Sequence, residues 1–318
     1  MSGTASRQVA KTDPETERFG VGQMVYSGEY PCQRSNCRNL AHYSIGAEYL
    51  CGTHSRSAAD RVVLPKKGKS MMAEEEAARL RRAVDLADRS KEDNQKQGRR
   101  GQVILTRLRM MRKPDHIDGY LSVFPNYKHG NRSDGLGMNR LSPKSLGPVD
   151  HGQPGLPPAL NVENFHQGSK CFSQEVGEDG NPNQLYYDNR LMFYQDSEPH
   201  RHKYKGTGKN VNIPKYFVWV DREGKEHHLN YVTSRQFYCN FFERLVKVEP
   251  QYTRLVDLIH QGYNLNLIGY DASPIEASQI EEAYLKPGLP FGHEKVLFAM
   301  LSLEESDYPW RKHKTYDF

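Results

Sequence analysis

The chain has 318 residues, of which 36% are hydrophobic and 26% charged, a balance typical of a water-soluble fold with substantial loop. No run approaches the roughly 18 apolar residues of a membrane-spanning helix. Residues 1–27 are polar and lack the apolar segment of a secretory signal. Composition therefore argues against a membrane-spanning or secreted protein.

Residues 28–60 carry three of the five cysteines in a metal-ligand pattern. Cys32 and Cys37 are separated by four residues, and Cys51 and His54 are separated by two. Thiolates with an imidazole, and no carboxylate, suit a closed tetrahedral Zn²⁺ site of structural type. The alternative is three unrelated thiols beside a histidine. The pattern resembles a short cysteine-rich module found in algal and large-DNA-virus proteins, with a shorter spacer here.

The other two cysteines, Cys171 and Cys239, are isolated in apolar surroundings. Five unevenly spaced cysteines do not make a disulfide scaffold. We therefore expect reduced thiols and an intracellular location.

Residues 61–113 hold the basic excess of the chain. They contain sixteen Lys/Arg against seven Asp/Glu, whereas the whole chain has a net charge of +5. The pattern predicts a basic helical linker with a narrow apolar stripe at Leu80, Val84 and Ala87. It is either a footprint for nucleic acid or an acidic partner, or a helix whose charges only keep it solvated.

After a Gly/Pro-rich stretch, the segment NVENFHQGSKCF places Glu163, Gln167 and Lys170 at intervals of four and three. On a helix this spacing brings the three side chains to one face. Phe165 and Phe172 would pack that helix into a domain. The alternative is an ordinary surface face with a distant ion pair.

Further along, a loop and two element ends carry polar groups beside apolar segments. The loop 200–208 is basic and would suit a phosphate, or would simply be an exposed turn. Asp271 follows a predicted strand, at the end where α/β sheets gather ligand groups. Gly292 and His293 open an apolar helix, whose first N–H groups can bind an anion, although His293 could equally be an interfacial histidine.

The remaining segments predict regular elements. YFVWVDREGKEHHLNYV predicts a β-hairpin, Ser234 and Pro250 each precede a helical pattern, and Gly262 suits a helix end. Ser273 to Glu276 predicts a capping box, and residues 304–318 predict a polar tail. The chain lacks the common nucleotide-binding, hydrolase and metalloprotease motifs.

The order of these segments resembles a group of mostly uncharacterised phage and large-virus proteins and, through it, the NADAR (YbiA-like) superfamily. The segments are LSPKSLGPVD, NVENFHQGSKCF, YVTSRQFYCNFFERLV, GYNLNLIGYDA and PFGHEKVLFAMLSL. The resemblance covers about residues 119–303. In this chain Phe291-Gly292-His293 replaces the Trp-Gly turn of that family, and the Gly-Tyr-Asp segment is not one of its hallmarks.

The resemblance implies cleavage of an N-glycosidic bond in a nucleotide, an ADP-ribose adduct or a modified base. Glu163 matches the acidic residue of the family helix, with Gln167 and Lys170 following in step. We predict catalytic roles for Glu163, Lys170 and Asp271. The predicted ligand-binding residues are Gln167, Arg201, Lys203, Trp219, Arg235, Gly292 and His293.

The predicted fold class is α+β: a mainly helical NADAR-like domain with a hairpin and short strands over residues 114–303, preceded by the small zinc module and the basic helix. The alternative function is a non-catalytic nucleic-acid-binding or virion-associated protein that uses residues 28–113. A viral origin would place the chain in the host cytoplasm or nucleus.

Overall fold

The computed structural model describes residues 25–110, 113–206 and 211–316. Helices and sheets both contribute, so the α+β class is confirmed in its coarse form. The first compact unit ends at Arg79 and the second begins at Leu80. The predicted tail, residues 1–27, lies outside the described residues up to Met24. Within the described ranges, no helix combines the length and apolarity needed to cross a bilayer.

The first unit contains a small antiparallel sheet. Strands β1 (Tyr43–Ile45), β2 (Glu48–Leu50) and β3 (Val62–Val63) lie in the order β2-β1-β3. Gly46 lies between β1 and β2 with φ of 57°, a conformation that glycine adopts without a Cβ clash. The buried residues of this unit are few, and they include Cys32, Leu50 and Cys51. A core this small favours stabilisation by a metal ion.

Helix α1 (Lys69–Lys96) runs across the division between the units. Its buried residues are Ala87 and Asn94, so most of its charged side chains face solvent. Within the second unit, the Asn94 amide donates to the Gly262 carbonyl at 2.9 Å and to Asn264 Oδ1 at 3.0 Å. These bonds tie the end of α1 to the segment that leads into the central sheet.

The second unit is built on a parallel sheet. Its strands are β4 (Val103–Arg107), β5 (Tyr120–Phe124), β6 (Leu136–Gly137) and β10 (Asn264–Gly269), in the order β4-β10-β5-β6. Residues 103–107 were predicted as part of the basic linker, which is wrong. They pair in parallel with β10, Leu105 opposite Leu267, and Leu105 is buried.

A second, antiparallel sheet of the same unit has the order β7-β8-β9, with β7 (Lys170–Cys171), β8 (Tyr216–Val220) and β9 (Glu226–Leu229). The predicted hairpin is therefore present. Its turn contains Gly224 with φ of 84°, the left-handed conformation that the Asp-Arg-Glu-Gly sequence offers. Together with the parallel sheet, this gives the second unit two sheets beside its helices.

Seven helices accompany these sheets in the described part of the second unit. They are α2 (Val162–Gly168), α3 (Gln184–Gln195), α4 (Tyr231–Val246), α5 (Pro250–His260), α6 (Ile280–Leu285), α7 (His293–Ser302) and α8 (Pro309–Lys312). Pro250 occupies the first turn of α5 and Gly262, with φ of 97°, follows its end, as predicted. Helix α7 buries nearly all of its residues.

Two helix starts differ from the prediction. Helix α4 begins at Tyr231 and not at Ser234, because the Asn230 side chain accepts the Thr233 N–H at 2.8 Å and so caps the helix earlier. The capping box predicted at Ser273 does not form. Glu276 instead precedes a short 3₁₀ turn, and α6 starts at Ile280.

Residues 304–318 are not simply a polar tail. Tyr308 and Trp310 are buried, and Trp310 Nε1 donates to Glu243 Oε2 at 2.7 Å. Arg311 also pairs with Glu243. Burial of the two aromatic rings stabilises the packed segment despite the charges around them. The segment therefore packs against α4 as helix α8.

Candidate functional site

Cys32, Cys37, Cys51 and His54 come together in the first unit, with their ligand atoms within 4.8 Å of one another. His54 Nδ1 lies 3.3 Å from Cys32 Sγ and 3.5 Å from Cys51 Sγ, and Cys37 Sγ lies 3.9 Å from Cys51 Sγ. Ligands about 2.0–2.3 Å from a central ion at tetrahedral angles lie about 3.5–3.8 Å apart. The cluster can therefore hold a metal ion.

In the second unit, helix α2 begins where the Asn161 side chain accepts the Asn164 N–H at 2.8 Å. It ends at Gly168, where a Cβ would lie 2.9 Å from the Tyr194 ring. Lys170 is therefore in strand β7 and not on the helix. The predicted helical face is thus two residues too long.

Glu163, Gln167 and Lys170 nevertheless form a hydrogen-bonded chain. The Gln167 amide nitrogen donates to Glu163 Oε1 at 2.8 Å, and Lys170 Nζ donates to Gln167 Oε1 at 2.8 Å. Gln167 is buried and also accepts the His202 backbone N–H at 3.2 Å. Both the donor and the acceptor of the Gln167 amide are hydrogen-bonded, so Gln167 fixes the Glu163 carboxylate and the Lys170 amine relative to each other.

Burial lowers the pKa of Lys170 to about 8, although the Glu163 carboxylate opposes the shift and Arg201 adds to it. An amine with this pKa is present in both protonation states near neutral pH. Lys170 can therefore act as a cation towards a phosphate or, as the free amine, as a nucleophile.

These residues open into a cavity of about 490 Å³. Nine of the ten predicted catalytic and ligand-binding residues line it, and Trp219 does not. They come from α2, β7, the 201–203 segment, α4, the segment after β10 and the start of α7. The lining residues are Pro143, Glu163, His166, Gln167, Lys170, Arg201, His202, Lys203, Asn212, Tyr231, Ser234, Arg235, Tyr238, Asp271, Pro290, Phe291, Gly292 and His293.

The charges of the cavity are unevenly distributed. Lys170, Arg201 and Lys203 are cationic, and Arg201 and Lys203 are exposed. At Gly292, an added Cβ would lie 3.1 Å from Glu294 Oε2 and 3.6 Å from Asp271 Oδ2. Two carboxylates beside the start of α7 make it unfavourable for an anion. A phosphate would therefore prefer the 201–203 side.

Two predicted ligand-binding side chains are engaged by the protein. Arg235 is buried and donates to the carbonyls of Ala283, Tyr284, Lys286 and Leu289. His293 Nε2 lies 3.0 Å from the Pro125 carbonyl, and its Nδ1 lies 3.2 Å from Glu294 Oε2. Arg235 thus holds the segment before Pro290, and His293 ties α7 to the end of β5.

The basic loop is only partly a ligand surface. His202 turns inward, with Nδ1 3.1 Å from the Gln167 carbonyl and Nε2 2.8 Å from Glu175 Oε1. Burial raises the pKa of Glu175, but the hydrogen bonds from His202, Phe172 and Asn189 outweigh it and the net pKa is lowered. Gly208 of the predicted loop lies outside the described residues.

His166 and Tyr238 line the cavity although the sequence analysis did not select them. Burial, aided by the charge of Lys170, holds the pKa of His166 well below its usual range. Burial and the nearby carboxylates of Glu163, Glu294 and Asp271 hold the pKa of Tyr238 well above its usual range. Both rings are therefore neutral around pH 7. The only available signal was the position of His166 between Glu163 and Gln167 on one helix.

Trp219 lies away from the cavity. It is buried on β8 with its ring centroid 4.2 Å from that of Phe237. It faces α4 and packs into the core, outside the cavity that holds the other nine residues. Its role is therefore in packing.

No family model, no curated protein and no solved structure matches the chain.

Proposed function

We propose that the chain is an N-glycosidase-type hydrolase of the NADAR kind, acting on a nucleotide, an ADP-ribose adduct or a modified base. The observation that carries the proposal is the single cavity that contains Glu163, Lys170 and Asp271 beside the exposed cations Arg201 and Lys203. Cleavage of an N-glycosidic bond needs a carboxylate at a sugar carbon that becomes cationic. A phosphorylated substrate needs cations nearby.

Glu163 is the proposed catalytic carboxylate. Gln167 holds Glu163 Oε1 in place, and the second oxygen makes no hydrogen bond with any other described residue and is available to the substrate. The bond between the sugar carbon and the nitrogen breaks, and its electron pair stays on the nitrogen. Water adds its oxygen to the sugar carbon and gives a proton to Glu163, and the departing nitrogen takes up a proton. The net reaction is the addition of one water molecule.

Lys170 and Asp271 have separate roles in this reaction. Lys170 either holds a phosphate oxygen or, as the free amine, attacks the sugar carbon in place of water. In that route the bond to the departing nitrogen breaks with its electron pair on the nitrogen, which takes up the proton that the amine loses. The ring C–O bond then opens to give a Schiff base, and water hydrolyses it to release the sugar and the free amine. Asp271 adds a second negative charge for the cationic sugar carbon. Arg201 and Lys203 bind the phosphate groups.

The test is Glu163→Gln, assayed for release of the base from a panel of N-ribosides and ADP-ribosylated nucleosides. We expect a loss of at least a hundredfold in kcat, because the amide cannot accept a proton from water. Glu304→Gln, an exposed carboxylate outside the cavity, is the matched control and should retain full activity. Full activity of Glu163→Gln would refute the assignment.

We propose Zn²⁺ as the ion of the Cys₃His cluster, since three thiolates and one imidazole suit this ion. The second candidate function is nucleic-acid binding by this module and the basic helix. It is favoured by the exposure of Arg81, Arg82 and Arg89 along α1. Deletion of residues 28–113 is a poor test, because it removes β4 from the central sheet.

Charge removal is the better test of the second candidate. Arg81→Ala combined with Arg89→Ala should weaken retention on nucleic acid and flatten its dependence on salt. Replacing the exposed Lys286 and Lys314 by Ala removes the same charge elsewhere and should leave retention unchanged. Equal retention by both double variants would eliminate α1 as the contact.

A further inference from the structure

Two aromatic rings from different helices meet inside the cavity. His166 of α2 and Tyr238 of α4 lie with ring centroids 5.2 Å apart at an interplanar angle of 61°. Phe217 flanks the His166 ring at 5.7 Å, and Phe242 flanks the Tyr238 ring at 6.0 Å. The pair thus forms a part of the cavity wall that is aromatic yet carries polar atoms.

Within the part of the chain that the structure describes, the polar atoms of this pair have no hydrogen-bond partner. Within residues 25–110, 113–206 and 211–316, the two ring nitrogens of His166 make no hydrogen bond. The same holds for the Tyr238 hydroxyl. Three other polar side chains of the cavity, Gln167, His293 and Arg235, are hydrogen-bonded to the protein. Polar groups in the interior are normally paired, so these two are free to pair with a ligand.

Because both rings are neutral, they limit the chemical class of ligand that this part of the cavity can bind. A neutral imidazole offers one N–H donor and one acceptor, and a phenol offers a donor. A phosphate would gain more from Lys170, Arg201 and Lys203. A planar heterocycle presents donors and acceptors on its edge and an apolar face, which matches an aromatic wall with free polar atoms.

We propose that His166 and Tyr238 form the contact site for the leaving group of the substrate, a neutral nitrogen heterocycle. This inference rests on the proposed N-glycosidase function. Tyr238 lines the same cavity as Glu163 and Asp271, so the pair borders the space in which the bond is broken. When that bond breaks, the electron pair stays on the heterocycle. The His166 N–H and the Tyr238 O–H stabilise it by hydrogen bonds.

The first measurement is the binding of free heterocycles, nicotinamide, adenine and uracil, by calorimetry. We expect the chain to bind at least one of them, and His166→Phe and Tyr238→Phe each to weaken that binding roughly tenfold through the loss of a hydrogen bond. His166→Gln keeps a donor and an acceptor and should recover most of the affinity. Tyr186→Phe removes an unpartnered buried hydroxyl outside the cavity and should bind like the unaltered chain.

The second measurement is the dependence of kcat on the pKa of the leaving group. The Phe variants should lose most on ribosides with poor leaving groups, an effect that a general loss of stability would not produce. Binding of all three heterocycles with unchanged affinity by both Phe variants would overturn the proposal, as would the absence of any binding to the unaltered chain at millimolar concentration. A melting temperature close to that of the unaltered chain establishes that each variant is folded.

The two proposals fail separately. If the chain binds a heterocycle through these rings but cleaves no N-riboside, the proposed function falls and the binding site stands. If it cleaves N-ribosides and the Phe variants keep the same affinity and the same dependence on the leaving group, the leaving-group site falls and the function stands.

Discussion

Gln167 is the side chain that organises the polar part of the cavity. It donates to Glu163, accepts from Lys170 and accepts from the His202 backbone. Because an amide has a separate donor and acceptor, it can join a carboxylate and an ammonium without carrying charge itself. The relative positions of Glu163 and Lys170 therefore depend on a neutral residue.

The buried amine of Lys170 should make the stability of the fold depend on pH. Its pKa is about 8 in the fold against 10.5 for a free side chain, so between these values the unfolded chain binds more protons. The free energy of unfolding should therefore rise with pH between about 8 and 10.5, relative to a chain without this amine. At pH 7 the charged amine is destabilising, and Lys170→Met should raise the free energy of unfolding by roughly 2 kcal/mol.

Urea denaturation of both proteins at pH 7, 9 and 10.5 measures this difference. The gain of Lys170→Met should shrink steadily over that range. Lys215→Met replaces an exposed lysine and should show no such trend. A gain of constant size across the three pH values would contradict the expected cause.

Sequence spacing together with the family resemblance selected Glu163, Gln167 and Lys170. The three side chains lie together although the helix ends at Gly168. Sequence spacing could not select Tyr238, because α4 is apolar on the same side and the residue reads as core. Which ring of an apolar helix face meets a cavity depends on the elements packed against it. Trp219 shows the converse, since it was predicted to bind the ligand but packs against Phe237 of α4.

At the scale of elements, β4 is the part of the sheet that sequence did not reveal. Its residues Val103–Arg107 lie in a run rich in arginine, and its partner β10 lies about 160 residues later in the chain. Local composition then suggests a linker, because parallel pairing carries no local turn signal. The hairpin of β8 and β9 was predictable because a short turn joins the two strands directly, and the residues of that turn are recognisable in the sequence.

A substitution in β4 tests whether that strand belongs to the core. Leu105 is buried in the sheet, so Leu105→Ala should lower the free energy of unfolding by roughly 2–5 kcal/mol. Val84→Ala, at an exposed position of α1, should change it by less than about 0.5 kcal/mol. Chemical denaturation followed by tryptophan fluorescence compares the two, since Trp219 and Trp310 both lie in the second unit. Equal changes in the free energy of unfolding for the two variants would contradict the assignment of β4 to the core.

At the scale of the whole molecule, the two compact units rely on different sources of stability. The buried residues of the first unit include only a few hydrophobic side chains around Cys32, Leu50 and Cys51. The second unit buries a long series of them on two sheets. A small module of this kind takes much of its folding free energy from its metal.

Removal of the metal should therefore act on one part of the chain. With a chelator, amide hydrogen exchange is expected to rise across residues 28–63, while the amides of β10 keep their protection. Cys51→Ser should reproduce the effect without a chelator, because serine is a poor zinc ligand. Cys239→Ser changes a buried thiol outside the cluster and should leave exchange in residues 28–63 unchanged. Unaltered exchange there after metal removal would contradict a structural role for the ion.

One wall of the cavity is held in place by its peptide groups. Arg235 contacts the carbonyls of residues 283, 284, 286 and 289, and Lys295 donates to the Pro290 carbonyl at 2.6 Å. Because carbonyls are common to every amino acid, the exposed side chains of Lys286 and Leu289 can vary without loosening that wall. The segment before Pro290 is consequently open to sequence variation, and libraries built at these two positions should yield folded proteins that keep the cavity.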